Sequence, residues 1–363
     1  MRQCQKRSAM THSTFRTPNS AIVRVLIVDD SSFMRKSLTH LLESDESIEV
    51  IGTAVDGEDA IQRVKQLHPD VVLLDIEMPV MDGLAALAHI MAECPTPVLM
   101  LSALNKRDAA IAIKSLYHGA VDFIAKPSGV ISYDIDRLSI EIIAKVKAAA
   151  GVNVRQLDLR LPKESYQRRW PKTGTRKKMV VIGASTGGPR AVATVLSGLP
   201  RDISPAIIVV QHMTPEFVPS FVERLRWGCS LDISTARKGE VIDPGHVLVA
   251  PGGCHVGVAQ DGTTRRIRLS KKTSPYAVFP SIDYAMESTA RAYGMGVLGV
   301  LLTGIGSDGA RGMKAIKEAG GGTIAEDESS CVVFGMPKAA IELGCVDEVA
   351  PLPQIAQAIL RMI

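Results

Sequence analysis

Short runs of consecutive valine, isoleucine and leucine recur along the chain, and most of them precede a segment with helical periodicity. VLIV at 25–28 comes before apolar residues spaced i, i+4, i+7 and i+8, at Met34, Leu38, Leu41 and Leu42. Strands that are apolar throughout are typical of parallel sheets buried on both faces. Strands that alternate with helices build such sheets, so the sequence predicts an α/β fold.

Two series of these units are separated by a stretch without periodicity, and 363 residues suit roughly two domains. Five βα units over 22–148 predict an N-terminal doubly wound, parallel five-stranded domain of the flavodoxin-like type, with strand order 2-1-3-4-5. Residues 149–178 are rich in basic side chains and contain two prolines, which predicts an interdomain linker. The alternation resumes over 179–363 and predicts a Rossmann-like, mostly parallel C-terminal sheet. Residues 1–21 are predicted to be a disordered extension.

The net charge of +4 comes from the two segments predicted to lie outside the domains. Residues 1–20 hold four basic and no acidic side chains, and residues 151–178 hold nine basic and two acidic ones. Because these segments carry +4 and +7, the rest of the chain sums to −7. A nucleic-acid-binding surface on the folded domains is therefore disfavoured.

The six cysteines are scattered and show no metal-ligand spacing, which predicts reduced thiols in a cytosolic protein. The N-terminus has no apolar signal-peptide core, and no run approaches 18 uninterrupted apolar residues. The sequence thus predicts a cytoplasmic protein without membrane insertion.

Charged side chains follow the strands predicted for the first domain. The polar residues at these strand ends are Asp29 and Asp30 after strand 1, Asp75 at strand 3, Ser102 at strand 4 and Lys126 after strand 5. Strands 1 and 3 flank the topological switch point, so the three carboxylates should meet there. Such an oxygen-rich cluster suits Mg²⁺, which would relieve the repulsion.

With a cation present, Asp75 could attack a phosphoryl donor and form an acyl phosphate. Lys126 would offset the added charge, and the Ser102 hydroxyl could donate a hydrogen bond to it. The alternative is that Asp29 and Asp30 cap the following helix and that Lys126 is a solvated loop charge.

The segments VDDSSFMR, LLDIEMPVMDG and GAVDFIAKPS resemble the receiver domain of bacterial two-component response regulators over about residues 22–145. The matching functional positions are Asp29 and Asp30 as the metal-binding pair, Asp75 as phosphoacceptor and further metal ligand, Lys126 as the receiver lysine, and Ser102 and Phe123 as switch residues. A core role for Phe123 is equally consistent with its sequence context.

A glycine-rich turn, GASTGG at 183–188, opens the second domain directly after an apolar strand. It fits G-x-S-x-G, a turn that exposes a nucleophilic serine in hydrolases. It is not G-x-G-x-x-G, contains no P-loop lysine, and has no clear acidic partner about 20 residues on. By itself the turn leaves nucleotide binding and hydrolysis open.

The strands that follow favour hydrolysis. AIIVVQH ends in His212 as MVVIGAS ends in Ser185, so neighbouring parallel strands would bring both to one sheet edge, and Asp308 follows a third apolar strand. Together they would form a nucleophile, base and orienting carboxylate. Singly, Ser185 and Asp308 could be helix caps and His212 a hydrogen-bonded strand-end histidine. Rival residues for the base and its orienter are His246, His255, Asp243 and Asp283.

GASTGGP, VVQHM, VAPGGCH and TGIGSDGARGM, behind a receiver, closely resemble the protein-glutamate methylesterase family of bacterial chemotaxis over about residues 22–360. The resemblance implies that Ser185, His212 and Asp308 hydrolyse γ-glutamyl methyl esters of methyl-accepting chemotaxis receptors and deamidate certain receptor glutamines. It implies activation when a chemotaxis histidine kinase phosphorylates Asp75. Mg²⁺ would belong to the receiver only, and the esterase step would need no cofactor.

Two further positions lie beside the expected triad. Thr186 aligns with a residue next to the family's nucleophile, and Ile305 stands where the family usually has methionine. If position 305 supplies a backbone N–H to an oxyanion, isoleucine retains that donor. The alternative functions for the second domain are a DNA-binding or a nucleotide-binding output module.

Overall fold

The computed structural model describes residues 22–126, 135–156, 178–272 and 278–363. The predicted N-terminal extension and most of the predicted linker lie outside these described residues. The N-terminal sheet consists of β1 (Val23–Val28), β2 (Ile48–Ala54), β3 (Val71–Asp75), β4 (Val98–Ser102) and β5 (Asp122–Ala125). Its order is β2-β1-β3-β4-β5 and every pairing is parallel, which is the predicted arrangement.

Five helices connect or follow these strands: α1 (Ser32–Leu42), α2 (Gly57–Leu67), α3 (Gly83–Glu93), α4 (Lys106–Leu116) and α5 (Ile135–Ala150). The first four begin where a short polar side chain accepts a hydrogen bond from the third residue after it. These capping residues are Ser31, Asp56, Asp82 and Asn105. Such caps satisfy backbone N–H groups that a helix leaves unpaired at its start.

The C-terminal sheet has seven strands: β6 (Met179–Ala184), β7 (Ala206–Gln211), β8 (Asp232–Thr235), β9 (His246–Val249), β12 (Val297–Leu301), β13 (Gly322–Glu326) and β14 (Glu348–Ala350). They are all parallel in the order β14-β13-β12-β6-β7-β9-β8. An antiparallel hairpin of β10 (His255–Asp261) and β11 (Thr264–Ser270) stands apart from this sheet.

The helices of this half are α6 (Gly188–Ser197), α7 (Val218–Gly228), α8 (Ile282–Tyr293), α9 (Ala310–Glu318), α10 (Met336–Glu342) and α11 (Leu352–Met362). Every residue of β6, β7 and β12 is buried, because helices or the hairpin cover both faces of the central strands. The structure therefore confirms the predicted α/β class for both halves. Among the described residues, none of the helices combines the length and the hydropathy that a membrane-spanning segment requires.

The two halves pack against each other through β5 and α4 on one side and α6, α7 and the residues preceding these two helices on the other. The rings of Phe123 and Phe217 stack with centroids 4.4 Å apart, and the Arg224 guanidinium lies 4.2 Å from the centre of the Tyr117 ring. The Thr186 hydroxyl donates to the Asp122 carboxylate across the same interface at 3.0 Å. The N-terminal domain thus touches the residue that follows Ser185.

The start of α3 leaves no room for a side chain at Gly83. A β-carbon there would lie 1.9 Å from the carbonyl oxygen of Asp75. We expect Gly83→Ala to lower the free energy of unfolding by about 1–3 kcal/mol, since backbone must shift to relieve the contact. Denaturant unfolding measures this change. Gly151→Ala is the control, because its β-carbon would meet the Ala148 carbonyl oxygen at 3.6 Å, and equal effects of the two substitutions would contradict the packing argument.

Candidate active site

Three polar side chains meet at the carboxyl edge of the C-terminal sheet. Ser185 and His212 directly follow β6 and β7, which are neighbours, and Asp308 lies in the loop after β12, on the other side of β6. From β6 the sheet extends in both directions, and ligands of open α/β sheets bind at such a reversal of strand order.

A chain of hydrogen bonds joins the three residues. The Ser185 Oγ lies 3.2 Å from His212 Nδ1, and His212 Nε2 lies 2.8 Å from Asp308 Oδ2. Because a carboxylate only accepts, Nε2 must carry the ring proton, which leaves Nδ1 to accept the proton of the serine hydroxyl. The arrangement can activate Ser185 as a nucleophile.

Asp308 is held at the N-terminus of α8. Its carboxylate accepts hydrogen bonds from the backbone N–H groups of Ile282 (2.7 Å) and Asp283 (3.1 Å) and from the hydroxyl of Ser281 (3.0 Å). Burial by itself would raise the pKa of Asp308, but His212 and the two N–H groups outweigh burial and hold the pKa below its usual value. Asp308 is therefore the ionised partner that an imidazolium at His212 would need.

Asp283 makes the reciprocal contact with the next helix. Its buried carboxylate accepts from the N–H groups of Gly309 (2.9 Å) and Gly312 (2.8 Å) and pairs with Arg311 (2.8 Å). Asp308, which precedes α9, thus binds the start of α8, and Asp283, in the first turn of α8, binds the start of α9. Asp308 consequently does not cap α9, its neighbour in sequence, but α8.

The other rival residues lie away from His212. His255 is fully buried, stacks on the Phe279 ring (centroids 4.4 Å apart), and accepts from the Ser281 N–H at Nδ1 while Nε2 faces the Lys272 carbonyl. It supports the start of α8 rather than Ser185. His246 contacts Ser234 at the opposite edge of the sheet, and Asp243 is exposed in the loop before it.

Several backbone N–H groups on the loops beside Ser185, those of Thr186 and Ile305 among them, have no acceptor among the described residues. The N–H of Ser185 itself donates to the Thr303 carbonyl at 3.0 Å and is not available. The free donors lie on the two loops that carry Ser185 and Asp308, where an anionic oxygen could be stabilised.

Thr303 and Glu326 were not anticipated from the sequence. The hydroxyl of Thr303 donates to the Thr186 carbonyl (2.9 Å), and its N–H donates to the Glu326 carboxyl (2.9 Å). Glu326 is fully buried, ends β13, and also accepts from Ser330 (3.0 Å). Asp75 was identified in the sequence as an acidic residue at the end of an apolar strand. Glu326 ends β13 in the same way, so the same pattern could have identified it. Glu326 anchors the loop on which Ile305 lies.

The acidic cluster of the N-terminal sheet has the geometry of a cation site. One carboxylate oxygen from each of Asp29, Asp30 and Asp75 lies within 4.8 Å of the others. The Lys126 ammonium contacts Asp29 at 2.9 Å and Asp75 at 2.7 Å. Burial raises the pKa of Asp75 to about 6, although Lys126 acts in the opposite direction. Three carboxylates facing one ammonium leave negative charge, so an all-oxygen donor set for Mg²⁺ fits these residues.

The two predicted switch residues make different contacts. The buried Ser102 hydroxyl donates to the neighbouring Ala103 carbonyl at 3.2 Å. Phe123 points towards the C-terminal domain and stacks on Phe217. Beside it, Asp122 pairs with Lys145 at 3.1 Å and accepts the Thr186 hydroxyl. Strand β5 therefore begins at Asp122, which contacts Thr186 next to the candidate nucleophile, and is followed directly by Lys126.

Burial raises the pKa of Glu326 to about 7, although hydrogen bonds from Thr303 and Ser330 lower it. The folded state therefore binds this proton more tightly than the unfolded chain, and the resulting stability should be lost as pH rises from about 4.5 to 7. We expect Glu326→Gln to reduce that loss by on the order of 3 kcal/mol. Denaturant unfolding at pH 5 and pH 8 measures it, with the exposed Glu328→Gln as control. An unchanged difference between the two pH values in Glu326→Gln would refute the assignment.

Comparisons with known proteins cover both halves of the chain. The family model described as CheB methylesterase matches residues 180–359, and the response regulator receiver domain model matches residues 25–132. This chain is similar to the crystal structure of the Thermotoga maritima CheB methylesterase catalytic domain, with 39% sequence identity and a TM-score of 0.50. The match covers 52% of this chain and 99% of the Thermotoga maritima chain.

Relatives with both domains are similar over nearly their whole length. A protein-glutamate methylesterase/protein-glutamine glutaminase of Symbiobacterium thermophilum is 47% identical over 94% of this chain and 97% of the relative. The protein of the same name from Pyrococcus abyssi is 44% identical over 94% of each chain. This chain therefore belongs to the CheB methylesterase family, with a response regulator receiver domain ahead of the esterase domain.

Proposed function

We propose that this protein is a chemotaxis response regulator that hydrolyses γ-glutamyl methyl esters on methyl-accepting chemotaxis receptors, releasing methanol, and deamidates specific receptor glutamines to glutamate. It acts in the cytoplasm and takes its phosphoryl group from a chemotaxis histidine kinase. Family membership supports the activity. The observation that carries the assignment of residues is the hydrogen-bonded chain from Ser185 through His212 to Asp308.

The first step is attack of Ser185 Oγ on the ester carbonyl while His212 Nδ1 takes the hydroxyl proton. Asp308 stabilises the imidazolium that forms, since its carboxylate is already bound to Nε2–H. The N–H groups of Thr186 and Ile305 donate to the tetrahedral oxyanion. One such donor is typically worth about 3–4 kcal/mol of barrier. Ile305 can serve in place of methionine because only its backbone is needed.

The intermediate then expels methanol, which takes the proton from His212, and leaves an acyl-enzyme on Ser185. Water attacks the acyl group while His212 accepts its proton, and glutamate and free Ser185 are regenerated. Deamidation follows the same course with ammonia as the leaving group. The nucleophile, base and oxyanion donors all come from the chain, so the esterase step needs no cofactor.

In the receiver domain, Asp29, Asp30 and Asp75 would hold Mg²⁺, which supplies positive charge to an incoming phosphoryl group. Asp75 is the phosphoacceptor, and its carboxylate oxygen attacks phosphorus in the donor. Lys126 is already ion-paired to Asp75 and would compensate the additional negative charge. Ser102 would turn its hydroxyl from Ala103 towards the phosphoryl oxygens.

We expect β5 to transmit the effect of Asp75 phosphorylation to the esterase site. Lys126, which contacts Asp75, lies four residues beyond Asp122, which holds the Thr186 hydroxyl. In the unphosphorylated state, Phe123 packs on Phe217 and the side chains of His212 and Asp308 are only 13% and 16% exposed. Drawing Lys126 towards a phosphoryl group would move β5, loosen these contacts and give the receptor access to Ser185.

The serine assignment predicts a nearly complete loss of turnover. We expect Ser185→Ala to lower methanol release from methylated receptor at least about 10³-fold, because no nucleophile remains to form the acyl-enzyme. Ser197→Ala is a suitable control, as that hydroxyl binds only the Thr194 carbonyl within α6. Normal turnover in Ser185→Ala would exclude the proposed mechanism.

The gating proposal predicts that phosphorylation and catalysis are coupled. A small phosphodonor with Mg²⁺ should raise the methanol release rate of wild type about 5- to 150-fold, the range of typical coupling energies. Asp75→Asn should keep the low basal rate and not respond, because the amide cannot be phosphorylated. Equal rates for wild type with donor, wild type without donor and Asp75→Asn would contradict gating.

A further inference from the structure

A basic cavity lies on the flank of the C-terminal domain, between α8 and the hairpin β10–β11. It encloses about 260 Å³. Its lining includes three cationic residues and no acidic one, and we call Arg268, Lys272 and Arg291 the basic flank. The walls between them are formed by Val258 and the ring of Tyr284. A cavity of this chemistry suits a side chain with an apolar stem and an anionic end.

The charges of the basic flank are largely unneutralised. Among the described residues, the side chains of Arg268 and Lys272 form no ion pair or hydrogen bond. Arg291 faces Glu287 at 3.9 Å, at the outer limit of an ion pair. Other arginines of the hairpin differ, since Arg265 stacks on Tyr293 (4.4 Å) and Arg266 donates to the Gly239 carbonyl. The cations that line the cavity are therefore the ones available to a ligand.

The cavity is connected to the proposed catalytic centre by α8. The helix begins at Ile282, whose N–H binds Asp308, and its later residues Ser288 and Arg291 line the cavity. At 1.5 Å per residue, these two positions lie about 9 and 13 Å along the helix from Ile282. Tyr284 stacks on His255 (centroids 5.0 Å apart), which supports the same helix start.

We propose that the basic flank binds free glutamate carboxylates of the receptor segment that carries the methyl ester. This inference rests on the proposed function, which makes the substrate a protein whose unesterified glutamates are anionic. About two turns of a substrate helix, or three to four extended residues, span about 9–13 Å. One receptor segment can therefore place its ester at Ser185 and a neighbouring carboxylate in the cavity beside Arg291, where Arg268 and Lys272 add positive charge. The flank would favour receptor segments that are already partly demethylated.

The test compares a protein substrate with a small one. Arg268→Gln combined with Lys272→Gln should raise KM for methylated receptor about 3- to 10-fold, with kcat nearly unchanged, because two exposed charges that contact the substrate are removed. Hydrolysis of a single-residue γ-glutamyl methyl ester should not change, since it cannot reach the cavity. The dependence of KM on salt concentration should become weaker.

Two control variants accompany the double substitution. Arg201→Gln removes an exposed cation in the loop before β7, at the opposite edge of the sheet, and should leave KM unchanged. Arg268→Lys with Lys272→Arg keeps both charges and should retain most of the affinity. An unchanged receptor KM in the double glutamine variant, or an equal loss with the small ester, would overturn the proposal.

A binding measurement separates this inference from the esterase assignment. A labelled glutamate-rich peptide should bind the Ser185→Ala chain, and the two glutamine substitutions should weaken that binding about 3- to 10-fold. If wild type released no methanol from either ester, the proposed function would fail, whereas the peptide result would still decide whether the flank binds carboxylates. Equal peptide affinity with and without the substitutions would sink the binding proposal.

Discussion

In the C-terminal domain, Asp308 and Asp283 each bind the start of the helix on which the other lies or which the other precedes, and the organisation of the domain depends on this exchange of contacts. Asp308 binds the first N–H groups of α8, and Asp283, from that first turn, binds those at the start of α9. A helix N-terminus carries partial positive charge and unpaired donors, which favour an ionised carboxylate. For Asp308 the hydrogen bonds outweigh burial and lower the pKa, whereas for Asp283 burial outweighs them and raises the pKa. The exchange fixes the loop after β12 against α8. His212 Nε2 thereby has a carboxylate acceptor at 2.8 Å, and its Nδ1 is left to face the Ser185 hydroxyl.

The supports of the site extend behind the reacting groups. Thr303 links the Ser185 turn to the loop of Ile305, and buried Glu326 holds Thr303 from below. His255 holds Ser281, which in turn donates to Asp308. Side chains outside the proposed triad therefore determine where the proposed nucleophile and oxyanion donors lie.

Beside the packing of α4 on α7, strand β5 links the acidic cluster of the receiver to the turn that carries Ser185. β5 ends beside the lysine that pairs with Asp75 and begins at the aspartate that binds Thr186. A change in charge at one end of a short buried strand is transmitted as a displacement of the other end, since the packed sheet allows little internal deformation. The proposed regulation needs no separate relay of residues through the linker.

The sequence by itself determined the α/β class, both sheets of parallel strands, and the placement of Asp29, Asp75, Ser185 and His212 at strand ends, because strand–helix periodicity and carboxyl-edge chemistry are local properties. It did not determine that Asp308 binds α8 rather than α9, or that Asp122 meets Thr186. Sequence alone also left His255 and Asp283 as rivals and overlooked Glu326. These contacts join residues far apart in the chain, and only the packing of helices and domains decides which donor each buried carboxylate meets.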